Sequence, residues 1–182
     1  YTSGSTGKPK GVQAAHEASV NRFTWMWRRW PFTPHDVCCQ KTSLSFVDSV
    51  WEIFGPLLQG VPTVIVPDEV VGDPVRLVDL LATHRVTRIV LVPSVLKRLL
   101  DTVPDVERRL PDLQFWVTSG EAIPVDVARR FAELLPGATL VNLYGSTEVT
   151  ADVSAYVVTG GAVRERIPIG RPIANTRLYV LD

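Results

Sequence analysis

The stretch DPVRLVDLLATHRVTRIVLV, residues 73–92, constrains the fold more than any other part of this chain. Its first half, DPVRLVDLLATHR, puts Val75, Val78, Leu81 and Ala82 on one face, at the spacing that an apolar helical stripe requires. Its second half, VTRIVLV, is a β-branched run of the kind that fits a pleated sheet. A helix feeding directly into such a strand is the repeating unit of a parallel sheet. The alternation recurs along the chain. Strands are expected at Val37 to Lys41, Pro62 to Val66, Thr87 to Val92, Gln114 to Thr118 and Ala138 to Asn142, and helices at Ser49 to Leu58, Pro74 to His84, Ser94 to Thr102 and Val125 to Leu134. A further amphipathic stretch runs from His16 to Arg29. The expected class is α/β, with largely parallel sheets flanked by helices. After Thr150 the pattern shifts to shorter strand-like pieces, Val153 to Thr159 and Arg177 to Leu181, separated by Gly160 and Gly161. These predict a smaller β portion near the C-terminal end.

Composition narrows the partners. The chain has 182 residues, room for one sizeable core but not for two ordinary domains. Lys plus Arg equals Asp plus Glu at 19 each, which gives no electrostatic case for nucleic acid or an anionic membrane surface. No apolar run approaches the roughly 18 residues of a membrane helix. Cys38 and Cys39 are adjacent, in a strand-like segment, and offer neither a disulfide framework nor a metal-binding pattern. A reducing cytosol is the expected setting. His16, His35 and His84 are scattered without metal spacing and are read as structural or surface residues.

Three segments combine residue types that carry chemistry. The loop TSGSTGKPKG, residues 2–11, gathers three glycines, four hydroxyls and two lysines. Such a loop can wrap backbone N–H groups and hydroxyls around phosphate, with lysine adding charge. It cannot be threaded as GxxxxGK followed by Ser or Thr, and its bland alternative is a flexible linker. NLYGSTEVT, residues 142–150, follows an expected strand, and ligands of open α/β sheets collect beyond the carboxyl ends of strands. There Tyr144 can stack on a base, Thr147 can bond a phosphate oxygen and Glu148 can hold a divalent cation. WVTSGEAI, residues 116–123, ends another expected strand in Ser119, Gly120 and Glu121, with Gly120 alternatively serving a tight turn.

A fourth segment, SFVDSVWE, residues 45–52, places Asp48 where a strand gives way to a helix. Ser49 followed three residues later by Glu52 has the form of a capping box. On that expectation Asp48 has no structural task, and the helix N-terminus beside it favours its ionised form.

In this order, YTSGSTGKPKG, SFVDSVWEIF, NLYGSTEVT and IGRPIANTRLYVLD resemble the core motifs of the adenylate-forming superfamily, specifically the adenylation domains of nonribosomal peptide synthetases. The resemblance covers essentially the whole chain. It implies a partial adenylation domain over residues 1–182, truncated at both ends. Residues 1–150 would form the α/β core with the ATP and substrate motifs, and 151–182 the start of a β-rich portion. It also implies that Thr2, Ser3, Gly4, Ser5, Thr6, Gly7 and Lys10 line the triphosphate. Gly120, Glu121, Ala122, Asn142 and Tyr144 would border the adenine, with Gly145 in the same motif; Thr147 would meet the α-phosphate and Glu148 the Mg²⁺. Lys10, Thr147 and Glu148 are the expected catalytic residues. The implied chemistry is attack of a substrate carboxylate on the α-phosphorus of ATP, giving an acyl-adenylate and pyrophosphate. Transfer to the phosphopantetheine thiol of a carrier protein would follow. The ribose-binding Asp motif and catalytic Lys of this family lie beyond Asp182, so the piece alone is expected to be inactive.

Most α-amino-acid-activating members carry Asp where this chain has Val47, and here the carboxylate comes one residue later. The family's pocket positions read Val47, Asp48, Trp51, Val90, Val117, Ser119, Leu143, Ala151 and Asp152, a set resembling that of β-alanine-activating members. A β-amino acid carries its ammonium one methylene farther from the reacting carboxylate, so its counter-ion should shift too. Trp51 would close the pocket and Asp152 would offer a second carboxylate. The alternatives are an acyl- or aryl-CoA ligase of the same superfamily, whose substrate lacks a cation, and a nucleotide-binding module without catalysis.

Overall fold

A computed structural model of the chain describes residues 7–159 and 165–181. In chain order the elements are α1 (His16–Arg29), β1 (Cys38–Gln40), α2 (Asp48–Leu57), β2 (Thr63–Ile65), α3 (Asp68–Val71), α4 (Pro74–Thr83) and β3 (Arg88–Leu91). There follow α5 (Pro93–Thr102), α6 (Val106–Arg109), β4 (Phe115–Thr118), α7 (Val125–Leu134) and β5 (Thr139–Ser146). A 3₁₀ turn (Thr147–Val149), β6 (Ala151–Val158) and β7 (Arg171–Pro172) complete the order.

The expected alternation is present, and its local causes are visible in α4. Asp73 caps the helix by accepting from the N–H groups of Val75 and Arg76 at 3.0 and 3.2 Å. Pro74 supplies the preset φ of a first helical residue. The buried stripe is Leu77, Val78 and Leu81. Val75, expected on that face, is 42% exposed, because Leu77 takes the inward position one turn before Leu81.

β3, β4 and β5 pair in parallel with Arg88 opposite Phe115 and Phe115 opposite Thr139; β6 and then β7 add antiparallel. β1 and β2 form a separate parallel pair. Successive side chains of a strand point to opposite faces, and here the faces carry different covers. Ile89, Leu91, Trp116 and Leu140 pack with Leu77, Leu81, Leu96, Leu99 and Phe131 of α4, α5 and α7. Val117, Val141 and Leu143 pack on the other face with Met26 of α1, and Trp51 of α2 lies against them.

A partly buried ion pair ties the two strand systems together. Asp36 accepts from Arg88 Nε and Nη2 at 3.0 and 2.9 Å and from the Thr87 hydroxyl at 2.7 Å. Burial pushes its carboxyl up, but those bonds and the Thr33 N–H outweigh it and hold the carboxyl below the usual range. The segment Arg177 to Leu181 does not form the expected strand. Its apolar residues Tyr179, Val180 and Leu181 are exposed, and no ladder partner meets them among the described residues, without which β-propensity has nothing to pair with. Arg171 and Pro172 take the edge of β6 instead.

Candidate active site

The C-terminal ends of β3, β4 and β5, the start of β6 and the facing helices α1 and α2 converge on one group of charged side chains. The β5–β6 hairpin sets its phase. Pairing slips between Tyr144 and Gly145, so that Gly145 lies opposite Asp152. Thr150 and Ala151 adopt φ of 59° and 78°, left-handed values that cost non-glycine residues about 1–3 kcal/mol each. A Cβ on Gly145 would fall 1.7 Å from the Ala151 carbonyl oxygen, so only glycine fits. The result is that Asp152 turns inward and is 3% exposed.

α2 begins at Asp48 without the expected capping box. The Ser49 hydroxyl donates to the Phe46 carbonyl at 2.7 Å. Glu52 is drawn to the chain leaving β1, accepting from the N–H groups of Lys41 and Thr42 at 3.0 and 2.7 Å and from the Thr42 hydroxyl at 2.9 Å. A buried carboxylate satisfying two backbone donors and a hydroxyl is held more firmly there than at a solvated cap. Asp48 also departs from expectation: its carboxyl is pushed up to about 6. Burial is the largest cause, the Asp152 charge the next; Arg22 and the Ser119 hydroxyl pull down while Glu52 adds to the rise. A helix N-terminus contributes only about 0.3–1 kcal/mol and is overridden.

Arg22 of α1 is the residue that sequence reasoning missed. It is 3% exposed. Its Nε donates to Asp152 Oδ2 at 2.8 Å and its Nη2 lies 2.7 Å from the same oxygen. Ser119 donates to Asp152 Oδ1 at 3.1 Å. The guanidinium stands 4.9 Å from the centre of a Trp51 ring. A signal existed: Arg22 precedes the buried Met26 by four positions, which puts both on one helical face. With Glu52 beside Lys41 at 3.6 Å and Asp152 on Arg22, Asp48 is the carboxylate of this group that holds no ion pair among the described residues.

Around these charges the wall is aromatic and aliphatic. Trp51 stacks on Phe32 at 6.3 Å between centroids and tilts against Phe23 at 5.5 Å. Val90, Val117 and Leu143 lie on the same face of the sheet as Met26. The cavity bounded by Met26, Trp51, Val90 and Val117 measures ≈ 20 Å³, room for about one water and for no side chain. Val47 is half-buried just before α2, and Ala151 is half-buried at the hairpin. A larger groove of ≈ 350 Å³ between α5 and α7 is lined by Lys97, Asp101, Asp126 and Glu133 and contains none of the expected site residues.

The nucleotide-motif residues are distributed along the same sheet edge. Asn142 is buried, donates from Nδ2 to the Pro168 carbonyl at 2.9 Å, and has an Oδ1 with no hydrogen-bond partner among the described residues. Tyr144 is 49% exposed. Thr147 and Glu148 lie in the 3₁₀ turn, and the Glu148 carboxyl is held below its ordinary value by its own backbone N–H and the Ser146 hydroxyl. Gly120 turns the chain with φ 85°. Ala122 is exposed. Glu121 is also exposed, but its carboxylate accepts from the N–H and hydroxyl of Ser94 at 3.1 and 3.0 Å and so anchors the start of α5. Gly7 and Lys10 are exposed, while Thr2, Ser3, Gly4, Ser5 and Thr6 lie outside the described residues. His16, His35 and His84 are all exposed. No metal-binding group of His, Cys, Asp and Glu occurs among the described residues. Cys38 and Cys39 are free and buried; burial pushes the Cys38 thiol up to about 12 and Cys39 higher still. No helix among the described residues is long and apolar enough to cross a membrane.

Residues 1–182 match the AMP-binding enzyme family along their whole length. The chain is 42% identical over 193 residues to the beta-alanyl-bioamine nonribosomal peptide synthetase ebony of Drosophila melanogaster, covering all of this chain and 22% of that protein. It is 41% identical over 188 residues to enterobactin synthase component F of Escherichia coli K12, again along its full length and 14% of the relative. The Vibrio cholerae adenylation domain AlmE in complex with glycyl-adenosine-5'-phosphate superposes with TM-score 0.85 at 28% identity, over 94% of this chain and 32% of that one. FmoA3, a nonribosomal peptide synthetase bound to alpha-methyl-L-serine-AMP, gives 0.88 at 34% identity, over 97% and 20%. The chain thus spans about a seventh to a third of these relatives. The α/β architecture, the motif order and the full-length matches agree: the chain belongs to the AMP-binding enzymes and forms part of a nonribosomal peptide synthetase adenylation domain.

Proposed function

We propose that the adenylation domain containing this chain activates β-alanine, or a closely related β-amino acid, as its adenylate with release of pyrophosphate. The acyl group then passes to a carrier-protein phosphopantetheine thiol. The observation that carries the reading is Asp48: it is half-buried, raised to about 6, and without an ion pair among the described residues, in a site whose neighbouring carboxylates are both paired. A substrate ammonium supplies the missing cation, and its arrival favours the ionised carboxylate. Val47, where α-amino-acid enzymes of the family carry Asp, leaves an α-ammonium without a counter-ion. The β-alanyl product in the name of the ebony relative points the same way.

The ATP assignments fit the residues present. Asn142 Oδ1, without a hydrogen-bond partner among the described residues, can accept from the adenine amino group, and exposed Tyr144 can stack on the base. Thr147 is assigned to the α-phosphate, and Glu148, favoured as the ionised form, to Mg²⁺. Bound there, Mg²⁺ would neutralise phosphate charge. Gly7 and Lys10, with Thr2 to Thr6, are assigned to the triphosphate. Pyrophosphate exchange by a complete adenylation domain carrying this chain, with β-alanine, L-alanine and benzoate compared, tests the reading. β-Alanine should turn over best, and equal or better use of L-alanine or benzoate refutes it.

A further inference from the structure

Burying a guanidinium on the inward face of α1 is costly, and an apolar pair in place of Arg22 and Asp152 would serve packing as well or better. The pair therefore calls for a reason beyond stability. Its geometry supplies one. Asp152 is engaged on both oxygens, Oδ2 by Arg22 and Oδ1 by Ser119, and its charge acts on the Asp48 carboxyl nearby. Without Arg22, the Asp152 charge would stand uncompensated beside Asp48. Arg22 Nη1 is buried with no hydrogen-bond partner among the described residues, so the guanidinium has donor capacity left beyond Asp152.

We propose that Arg22 is a positioning residue that fixes the charge of the substrate pocket: by holding Asp152 it leaves Asp48 as the single carboxylate open to substrate, restricting the pocket to amino acids with one cationic group. This rests on the assignment of Asp48 as the ammonium partner. The groups that face Asp48 are Arg22 from α1, Glu52 from α2 with its partner Lys41 after β1, Ser119 after β4 and Asp152 from β6. Arg22 and Asp152 oppose each other among them, which gives the test its sign.

In a complete adenylation domain, kcat/KM for β-alanine is measured by pyrophosphate exchange across pH for wild type, Arg22→Gln, Asp152→Asn, Arg22→Lys and the Arg22→Gln/Asp152→Asn double variant. Because Asp48 must be ionised to bind, activity rises with pH through its titration. Arg22→Gln should move that limb to higher pH, lower kcat/KM at pH 7.5 by at least about tenfold, and erode tenfold the preference for β-alanine over diaminopropionate, which carries two amino groups. Asp152→Asn should move the limb to lower pH. The double variant should return the limb toward wild type and recover most of the activity lost in Arg22→Gln, and Arg22→Lys should lie between. A merely structural pair would shift both single variants the same way or not at all. That outcome, a double variant no better than Arg22→Gln, or an Arg22→Gln effect under twofold, overturns the proposal. Should Arg22→Gln fail to fold, an unmoved limb in Asp152→Asn does so alone. If wild type ignores β-alanine, the substrate assignment falls; the same sign pattern is then read on the amino acid it does activate.

Discussion

Replacing Asp48 with Asn should make the substrate-free domain more stable at neutral pH and nearly useless toward β-alanine. The carboxyl is raised from 3.8 to about 6 on folding. A raised acid contributes stability that is fully present below its unfolded value and lost as pH climbs through the folded one. A rise from 3.8 to about 6 corresponds to about 3 kcal/mol, which wild type loses between about pH 4 and 6.5 and the Asp48→Asn variant does not. Urea unfolding of the two domains across that window isolates the effect, since contributions of opposite sign from Asp36 and Glu148 cancel in the difference. Kinetically, an ammonium buried against a neutral amide lacks its partner, at a cost of about 3–5 kcal/mol. That is a loss of a hundredfold to several thousandfold in kcat/KM, with the KM for ATP unchanged. In wild type the same carboxylate should make kcat/KM fall about tenfold per pH unit below 6. A variant no more stable than wild type at pH 7.5, or one whose β-alanine turnover drops less than tenfold, refutes this account of Asp48.

Three further substitutions probe the surroundings. Gly55→Ala places a Cβ 2.6 Å from the Trp51 ring; it should displace the indole, cost about 1–3 kcal/mol of stability and raise the KM for β-alanine more than that for ATP, read by melting and exchange assays. Asp36→Ala removes the carboxylate partner of the half-buried Arg88, which keeps its bonds to the Trp30 and Pro31 carbonyls, and should destabilise the domain by about 1–3 kcal/mol in urea titrations. Glu148→Gln should lower kcat about a hundredfold and raise the Mg²⁺ concentration needed for half-maximal exchange, without changing discrimination between β-alanine and L-alanine.

The sequence made the sheet legible because helix and strand leave different periods, as in the run from Asp73 to Val92. It also exposed Asp48 as a charge without a structural task, though not because Glu52 caps the helix: that side chain leaves the helix start to serve Lys41 and Thr42. Arg22 stayed hidden for a physical reason. A basic residue in an amphipathic helix reads as solvated, and its partner lies 130 positions away on β6. Local pattern carries no trace of such a pair. The stretch from Arg177 to Leu181 misled in the opposite direction, since its composition favours a strand while pairing depends on a neighbour that composition cannot supply.

The slipped pairing at Gly145 has an evolutionary side. Side chains alternate along β6, so Asp152 reaches the interior only because the hairpin delivers it in the right phase. Removing one residue from the turn at 147–151 would present Val153 in its place, exchanging a carboxylate for an isopropyl group without a single substitution. At the proposed substrate site, preference would thus be stored partly as a count of residues, and changes of loop length would be a route to new preferences that comparison of pocket residues alone would miss.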